Sequence, residues 1–167
     1  HATLAHPGGW NGGPGTHPFA TGAWRAPANN TNTFARESHI DALAAAAGAD
    51  PVAFRLSHLK DAKMRGVLEA AAEQAGWTPA QLGPGRGRGV ALGIDAGTWV
   101  AMIVEVAVDG ATGAVQVDRV VCAQNMGLVV NPQGARIQME GCITMGLGYA
   151  LSEEVRFRGG EILDRNF

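Results

Sequence analysis

The stretch of sequence that decides the fold is WVAMIVEVAV, at residues 99–108. Apolar residues recur at every second position, the period of a β-strand, in the series Val100, Met102, Val104, Val106 and Val108. We expect this shared face to be buried. Glu105 lies on the other face, where a carboxylate is expected to be solvated or paired rather than catalytic.

Turn signals on both sides of this strand predict a sheet. DGATG at 109–113 is typical of a hairpin connection, and alternation resumes through Val115, Val117 and Val121. Residues 90–94 predict a short strand before it. Residues 78–88 are predicted to form a linker. A phosphate-binding loop is not expected here, because the glycines of this segment precede a strand and the third glycine of the dinucleotide-binding motif is missing.

Three helices are predicted before the sheet. The first covers about 34–47, capped by Asn32 or Thr33, with Gly48 as its stop. The second is short and begins at Asp50-Pro51. The third ends at Gly76. Their apolar faces are Ile40, Leu43, Ala44 and Ala47 in the first, Val52, Leu56 and Leu59 in the second, and Met64, Val67, Leu68, Ala71 and Ala75 in the third.

A glycine-rich helix is predicted after the sheet, from Asn131-Pro132 to about Glu154. Each interior glycine costs about 1 kcal/mol relative to alanine, so either close packing on a sheet or close approach of a ligand must offset them. Residues 155–163 predict a strand, a turn and a strand. The fold class is therefore α+β, with three N-terminal helices, a mostly antiparallel sheet and one long glycine-rich helix packed on it.

Length and composition exclude several classes of protein. The 167 residues suit one domain, and a net charge of -2 without a basic run argues against nucleic-acid binding. The sequence has no stretch of 18 or more apolar residues, the length that would predict a membrane span.

The predicted domain boundaries follow from the same patterns. Residues 1–24 are expected to form an irregular, loop-rich segment. Residues 25–167 are expected to form the domain, with a helical part at 33–77 and the sheet and long helix at 87–167. The first residue, His1, and the strand-like end suggest a piece of a larger protein.

Metal ligands are not evident. The histidines of the first segment, His1, His6 and His17, fit no zinc or copper spacing and are expected to be exposed loop residues. Cys122 and Cys142 are expected to be buried free thiols.

Self-contained hydrolase chemistry is also not evident, because HExxH, GxSxG and CxxC are absent. Polar residues at the ends of elements remain as candidates, since binding residues often occupy such positions: Arg25, Asn125, Asn131, Gln138 and Glu140. Structural roles compete with this interpretation. Asn131 can be a helix cap, Glu140 can complement the helix dipole, and Arg25 can form an ion pair.

An ordered set of motifs resembles the large subunit of the molybdenum hydroxylases, the xanthine dehydrogenase and aldehyde oxidase family. Its first half is WRAP at 24–27, FARES at 34–38, DALA at 41–44 and DPVAFRL at 50–56. Its second half is NMG at 125–127, NP at 131–132, QMEG at 138–141, GLG at 146–148 and EE at 153–154. The sequence is most similar to the isoquinoline 1-oxidoreductase beta-subunit branch.

The resemblance implies a molybdopterin cofactor, usually the cytosine dinucleotide form in bacteria, with no side-chain ligand to molybdenum. Such enzymes hydroxylate an aldehyde or an N-heterocycle with oxygen from water, and electrons leave through an iron-sulfur subunit. The implied roles are substrate positioning for Arg25 and cofactor binding for Gln138, Asn131 and Gly127. The cofactor supplies the difficult chemistry in such enzymes.

Departures from the family pattern limit what the chain does alone. The family's general-base glutamate, in a GxGE-like motif, is not present, so we expect this piece to be inactive and to hold no cofactor without the remainder of the large subunit. Asn125 replaces a usual aspartate, and Ile137 replaces a frequent glycine. The alternative is a non-catalytic assembly module that keeps the fold, and the downstream motif distinguishes the two. The family implies either a periplasmic location, reached by twin-arginine export, or a cytoplasmic one.

Overall fold

The computed structural model describes residues 25–27, 29–79 and 82–165. The predicted loop-rich segment and its three histidines lie outside the described residues. The predicted α+β class is confirmed. The elements, in chain order, are α1 (Asn29–Ala46), α2 (Pro51–His58), α3 (Ala62–Ala75), β1 (Arg86–Asp95), β2 (Thr98–Val108), β3 (Val115–Asn125), α4 (Pro132–Leu151), β4 (Phe157–Arg158) and β5 (Glu161–Ile162).

These elements belong to two compact units. One unit is Asn29–Val130, with three helices and a three-stranded sheet; α4 and the β4–β5 hairpin belong to the other, which also includes the described residues 25–27. The expected packing of α4 on the sheet stays a prediction.

The three-stranded sheet is antiparallel throughout, with the order β1-β2-β3. The predicted linker ends earlier than expected, because its last three residues already belong to β1. A bulge interrupts the β2–β3 ladder between Glu105 and Val106, opposite Asp118. The Asp118 carboxylate accepts a hydrogen bond from Arg86 at 2.6 Å, which ties the start of β1 to β3.

The prediction for the buried face of β2 is wrong. Ala101 and Ile103 are fully buried, whereas Val100, Met102 and Val104 are only half-buried. The cause is α3, whose apolar stripe packs on the Ala101 face together with Val90 and Leu92 of β1. Both faces of β2 are apolar, so alternation in one strand does not decide which face meets the helix.

The same helix explains the surroundings of Glu105. Its carboxylate lies on the α3 side of the sheet, 4.0 Å from Arg119. Arg119 also donates to the carbonyl of Gln74 at 2.7 Å, near the end of α3. Glu105 is therefore paired, as expected, and the pair links the sheet to the helix.

The third helix agrees with its sequence pattern. All five residues of its predicted stripe are buried. Asp61 caps the helix, because its Oδ1 accepts from the backbone N–H groups of Lys63 and Met64, each at 2.9 Å. The Met64 N–H bond is the main reason that the pKa of the Asp61 carboxyl lies below its usual range. Gly76 ends the helix in the left-handed conformation at φ +62°.

The first two helices differ from their predictions. α1 begins at Asn29, not near residue 34, so neither Asn32 nor Thr33 is its cap. Leu43 and Ala47 are exposed, and the residues that α1 buries are Glu37 and Ala44. In α2, Val52 is buried as predicted, but its buried neighbour is Arg55.

A buried ion-pair network explains these charged residues. The Glu37 carboxylate accepts from Arg55 Nε at 3.1 Å, from Arg36 Nε at 2.9 Å and from the backbone N–H of Leu92 at 3.0 Å. Arg36 Nη2 donates to the Leu92 carbonyl at 2.7 Å, and Arg55 Nη1 donates to Asp41 at 2.7 Å. The network therefore joins α1, α2 and the outer edge of β1.

An ion pair closes the β4–β5 hairpin of the second unit. Asp164 accepts from Arg156, including a bond of 2.5 Å to Nη2, across the β4–β5 hairpin. The Arg156 side chain is the main reason that the pKa of Asp164 is lowered.

None of the helices in the described part of the chain combines the length and the apolar character that a membrane crossing requires.

The cysteine prediction is half right. Neither cysteine forms a disulfide, as predicted, but Cys142 is exposed and Cys122 is half-buried, so neither is a core residue. Cys142 is exposed because α4 buries none of its own residues in this structure.

Candidate functional site

The candidate site is built on α4. Asn131 caps this helix: its Oδ1 accepts from the backbone N–H of Gly134 at 2.9 Å, and Pro132 follows at the first helical position. A Cβ at Gly134 would lie 3.1 Å from Asn131 Nδ2, so the absent side chain leaves room for the cap. The structural role considered for Asn131 is therefore present, although its amide stays exposed.

The predicted ion pair of Arg25 is not formed among the described residues. Instead, the exposed Arg25 side chain directs Nη1 at the Met145 sulfur of α4, at 3.3 Å. The two residues are 120 positions apart in the sequence. The contact brings the WRAP motif onto the glycine-rich helix.

Gln138 and Met145 lie on the same face of α4. Seven residues separate them, which is almost two full turns and about 10 Å along the axis. Asn131 precedes Gln138 by another seven residues, at the start of the same line. Three separate motifs therefore converge on one face, which we call the Gln138 face: Asn131, Gln138 and the Arg25–Met145 contact.

The Gln138 face is open in the described structure. The Gln138 side chain is exposed and forms no hydrogen bond with another described residue, so its amide is available to donate and to accept. A Cβ added to Gly141, one turn further along, would meet nothing within 4 Å. A flat polar ligand has access to both the amide and the helix backbone.

Glu140 is engaged elsewhere. Its carboxylate accepts from Arg136 Nε at 2.8 Å, one turn earlier on the helix surface. An exposed pair of this kind contributes about 0.5 kcal/mol to helix stability. The bond to Arg136 accounts for the position of the Glu140 carboxylate without an interaction with the helix dipole.

Gly127 lies in the other compact unit, after β3. Its φ of +77° is a left-handed conformation that favours glycine, and its N–H donates to Asn125 Oδ1 at 3.2 Å. Asn125 thus forms a local side-chain turn that aspartate could also form. The next residues project outward, with Leu128 90% and Val130 89% exposed.

A second concave region is a poorer candidate. A groove of about 280 Å³ is lined by Asp41, Pro51, Arg88 and Val90, among others. Its charged groups are already engaged, because Asp41 accepts from Arg55 and Arg88 stacks on Trp77, 4.5 Å from the ring centre. The groove offers no uncommitted charge to a ligand.

Sequence reasoning missed Met145. Met145 belongs to no recognisable sequence motif. Only its spacing of seven residues from Gln138 indicates that it lies on the Gln138 face. It also missed the Glu37–Arg55 pair, although both residues lie in the motifs that carry the resemblance.

The sequence also matches a known protein family. The family model described as the molybdopterin cofactor-binding domain matches residues 30–167, and the chain belongs to that family. The resemblance to molybdenum hydroxylases is therefore confirmed.

Particular relatives have informative names. Over 168 residues the chain is 37% identical to the B subunit of nicotinate dehydrogenase from Pseudomonas putida, covering 90% of this chain and 14% of the relative. It is 36% identical over 137 residues to the beta subunit of isoquinoline 1-oxidoreductase from Brevundimonas diminuta, covering 80% and 18%. It is 45% identical over 58 residues to the aldehyde oxidoreductase molybdenum-binding subunit PaoC of Escherichia coli, covering 35% and 8%. The chain thus spans less than a fifth of these relatives.

Proposed function

We propose that this chain is part of the molybdopterin-binding subunit of a molybdenum-dependent oxidoreductase that hydroxylates an aldehyde or an N-heterocycle with oxygen from water. The family supports the cofactor, and the names of the relatives support the substrate classes. The observation that carries the proposal is the convergence of Arg25 and Gln138 on one open face of α4.

The Gln138 face fits a pterin. A pterin ring presents both donors and acceptors, and the uncommitted Gln138 amide can match either. The open space at Gly141 lets a planar ring approach the helix backbone. When bound, the molybdenum-pterin group supplies the two-electron oxidation of the substrate carbon.

Arg25 is assigned to the substrate. Its planar fork of donors can orient a carbonyl or a ring nitrogen and can stabilise negative charge that develops there. Asn131 and Gly127 are assigned to the cofactor: Asn131 through its exposed amide, and Gly127 through a backbone that has no side chain to obstruct an approach.

The remaining assignments concern parts of the protein beyond these residues. We propose the cytosine dinucleotide form of the cofactor, an iron-sulfur subunit that accepts the electrons, and a general-base glutamate in the remainder of the large subunit. On this view the 167 residues alone hold no cofactor and have no turnover.

The test uses the full-length protein. Gln138→Ala should lower the content of pterin and molybdenum, measured by fluorescence of the oxidised pterin and by metal analysis, because one ring contact is lost. Gln133→Ala is the matched control, since Gln133 is also exposed on α4 but points away from the Gln138 face. Wild-type cofactor content and turnover in Gln138→Ala would overturn the assignment of this face.

A further inference from the structure

The Arg25–Met145 contact differs from the other arginine contacts of its unit. Arg136 and Arg156 each donate to a carboxylate, Glu140 at 2.8 Å and Asp164 at 2.5 Å. Arg25 donates to a thioether, a neutral and weak acceptor, and no carboxylate pairs with it among the described residues. This contact therefore gives the guanidinium a neutral partner and does not cancel its positive charge.

We propose that Met145 is a positioning residue, which holds the Arg25 guanidinium beside the Gln138 face and leaves its charge available to the substrate. The inference rests on the proposed function and adds a residue to it. A substrate that gains negative charge during the reaction needs an uncompensated cation fixed nearby, and fixed donors stabilise such charge better than mobile ones.

The choice of side chain follows from the same argument. A carboxylate at position 145 would form a salt bridge and cancel the charge that the substrate requires. A leucine would pack equally well but offers no acceptor, so the guanidinium would lose its orientation. Glutamine keeps a neutral acceptor, its amide oxygen, and should largely replace methionine.

The first experiment tests the contact without measuring activity. Full-length protein is exposed to dilute hydrogen peroxide, and sulfoxide formation at each methionine is followed by mass spectrometry. Arg25→Ala should raise the oxidation rate of Met145 severalfold, because the guanidinium no longer covers the sulfur. Met139 is the internal reference, as it is also half-buried on α4 and should be unaffected. An unchanged Met145 rate would overturn the contact.

The second experiment tests the role in the reaction. Met145→Leu should lower kcat/KM for nicotinate, isoquinoline or an aromatic aldehyde by about tenfold, with cofactor content unchanged. Met145→Gln should recover most of this loss, and Met139→Leu should have no effect.

A double-mutant cycle separates positioning from a purely structural role. In an Arg25→Ala background, Met145→Leu should cause no further loss, because the residue acts only through the guanidinium. An equal loss in both backgrounds would contradict the proposal.

The two hypotheses fail in different ways. Full-length protein that never contains molybdenum or pterin refutes the proposed function, and the role of Met145 in that reaction fails with it. A cofactor-loaded, active enzyme in which Met145→Leu has wild-type kinetics refutes only the positioning role.

Discussion

Glu37 is the residue on which two helices and a strand edge converge. Its side chain is 6% exposed and that of Arg55 is 1% exposed, so their charges are largely withdrawn from water. Burying such a pair has a large desolvation cost, which is offset only while every partner is in place. The pair therefore makes the unit sensitive to the loss of either residue.

We expect Glu37→Ala to destabilise the chain by about 3 kcal/mol, because the buried Arg55 would lose its buried carboxylate partner and keep only the partly exposed Asp41. Urea unfolding followed by tryptophan fluorescence measures the change. The control is Glu69→Ala, which removes an exposed pair with Arg65 at 3.2 Å and should cost less than about 1 kcal/mol. Equal effects of the two substitutions would contradict this account.

Replacement by alanine is expected to have opposite effects at a glycine inside α3 and at the glycine that caps its end. Gly76 adopts φ +62°, so Gly76→Ala should destabilise by about 1 kcal/mol. Gly66 lies in the exposed helix interior with open space around it, so Gly66→Ala should stabilise by about 0.5–1 kcal/mol. The same unfolding measurement decides both, and shifts of the same sign would show that local backbone conformation is not the determinant.

At the scale of elements, α3 is the helix that the sequence predicts best, because its apolar stripe has one orientation and its ends have recognisable caps. α1 is predicted worst. Its buried side centres on a glutamate, and a hydrophobic pattern assigns charged residues to solvent. The partner of that glutamate, Arg55, lies on another helix, so no local pattern indicates that the two are buried together.

The Asp61 cap gives α3 a pH dependence. Because folding lowers the pKa of this carboxyl, its contribution to stability is complete above the unfolded value, roughly pH 4, and is lost as the pH falls through the folded value. Asp61→Ala should therefore be less stable than wild type near pH 7, with the difference narrowing in acid. Unfolding curves between pH 2 and 7 measure this, with the exposed, non-capping Glu73→Ala as control.

At the scale of the whole molecule, composition and strand alternation predict the fold class and most elements, but they do not predict how faces are paired. The buried face of β2 is decided by α3, which lies about 30 residues earlier in the chain. The Gln138 face is predictable in part: the spacing of Asn131 and Gln138 is visible in the sequence, whereas the Arg25–Met145 contact spans 120 residues and needs the tertiary structure.

The interior glycines of α4 provide a test in the full-length protein. Gly141 and Gly146 both have open space at the Cβ position, but only Gly141 lies beside the Gln138 face. Gly141→Ala should reduce pterin and molybdenum content severalfold, because a methyl group would obstruct the ring, whereas Gly146→Ala should leave it unchanged. Equal cofactor content in both variants would indicate that these glycines serve packing instead.

The hydrogen bonds at Leu92 also restrict the side on which another strand can pair with the sheet. Its N–H and carbonyl point away from β2 and are occupied by the Glu37 and Arg36 side chains, so α1 acts as a stop on that side. β3 is the opposite margin of the three-stranded sheet. Leu92 therefore has no backbone group left for another strand on that side, and we expect a strand added to this sheet to pair with β3 rather than with β1.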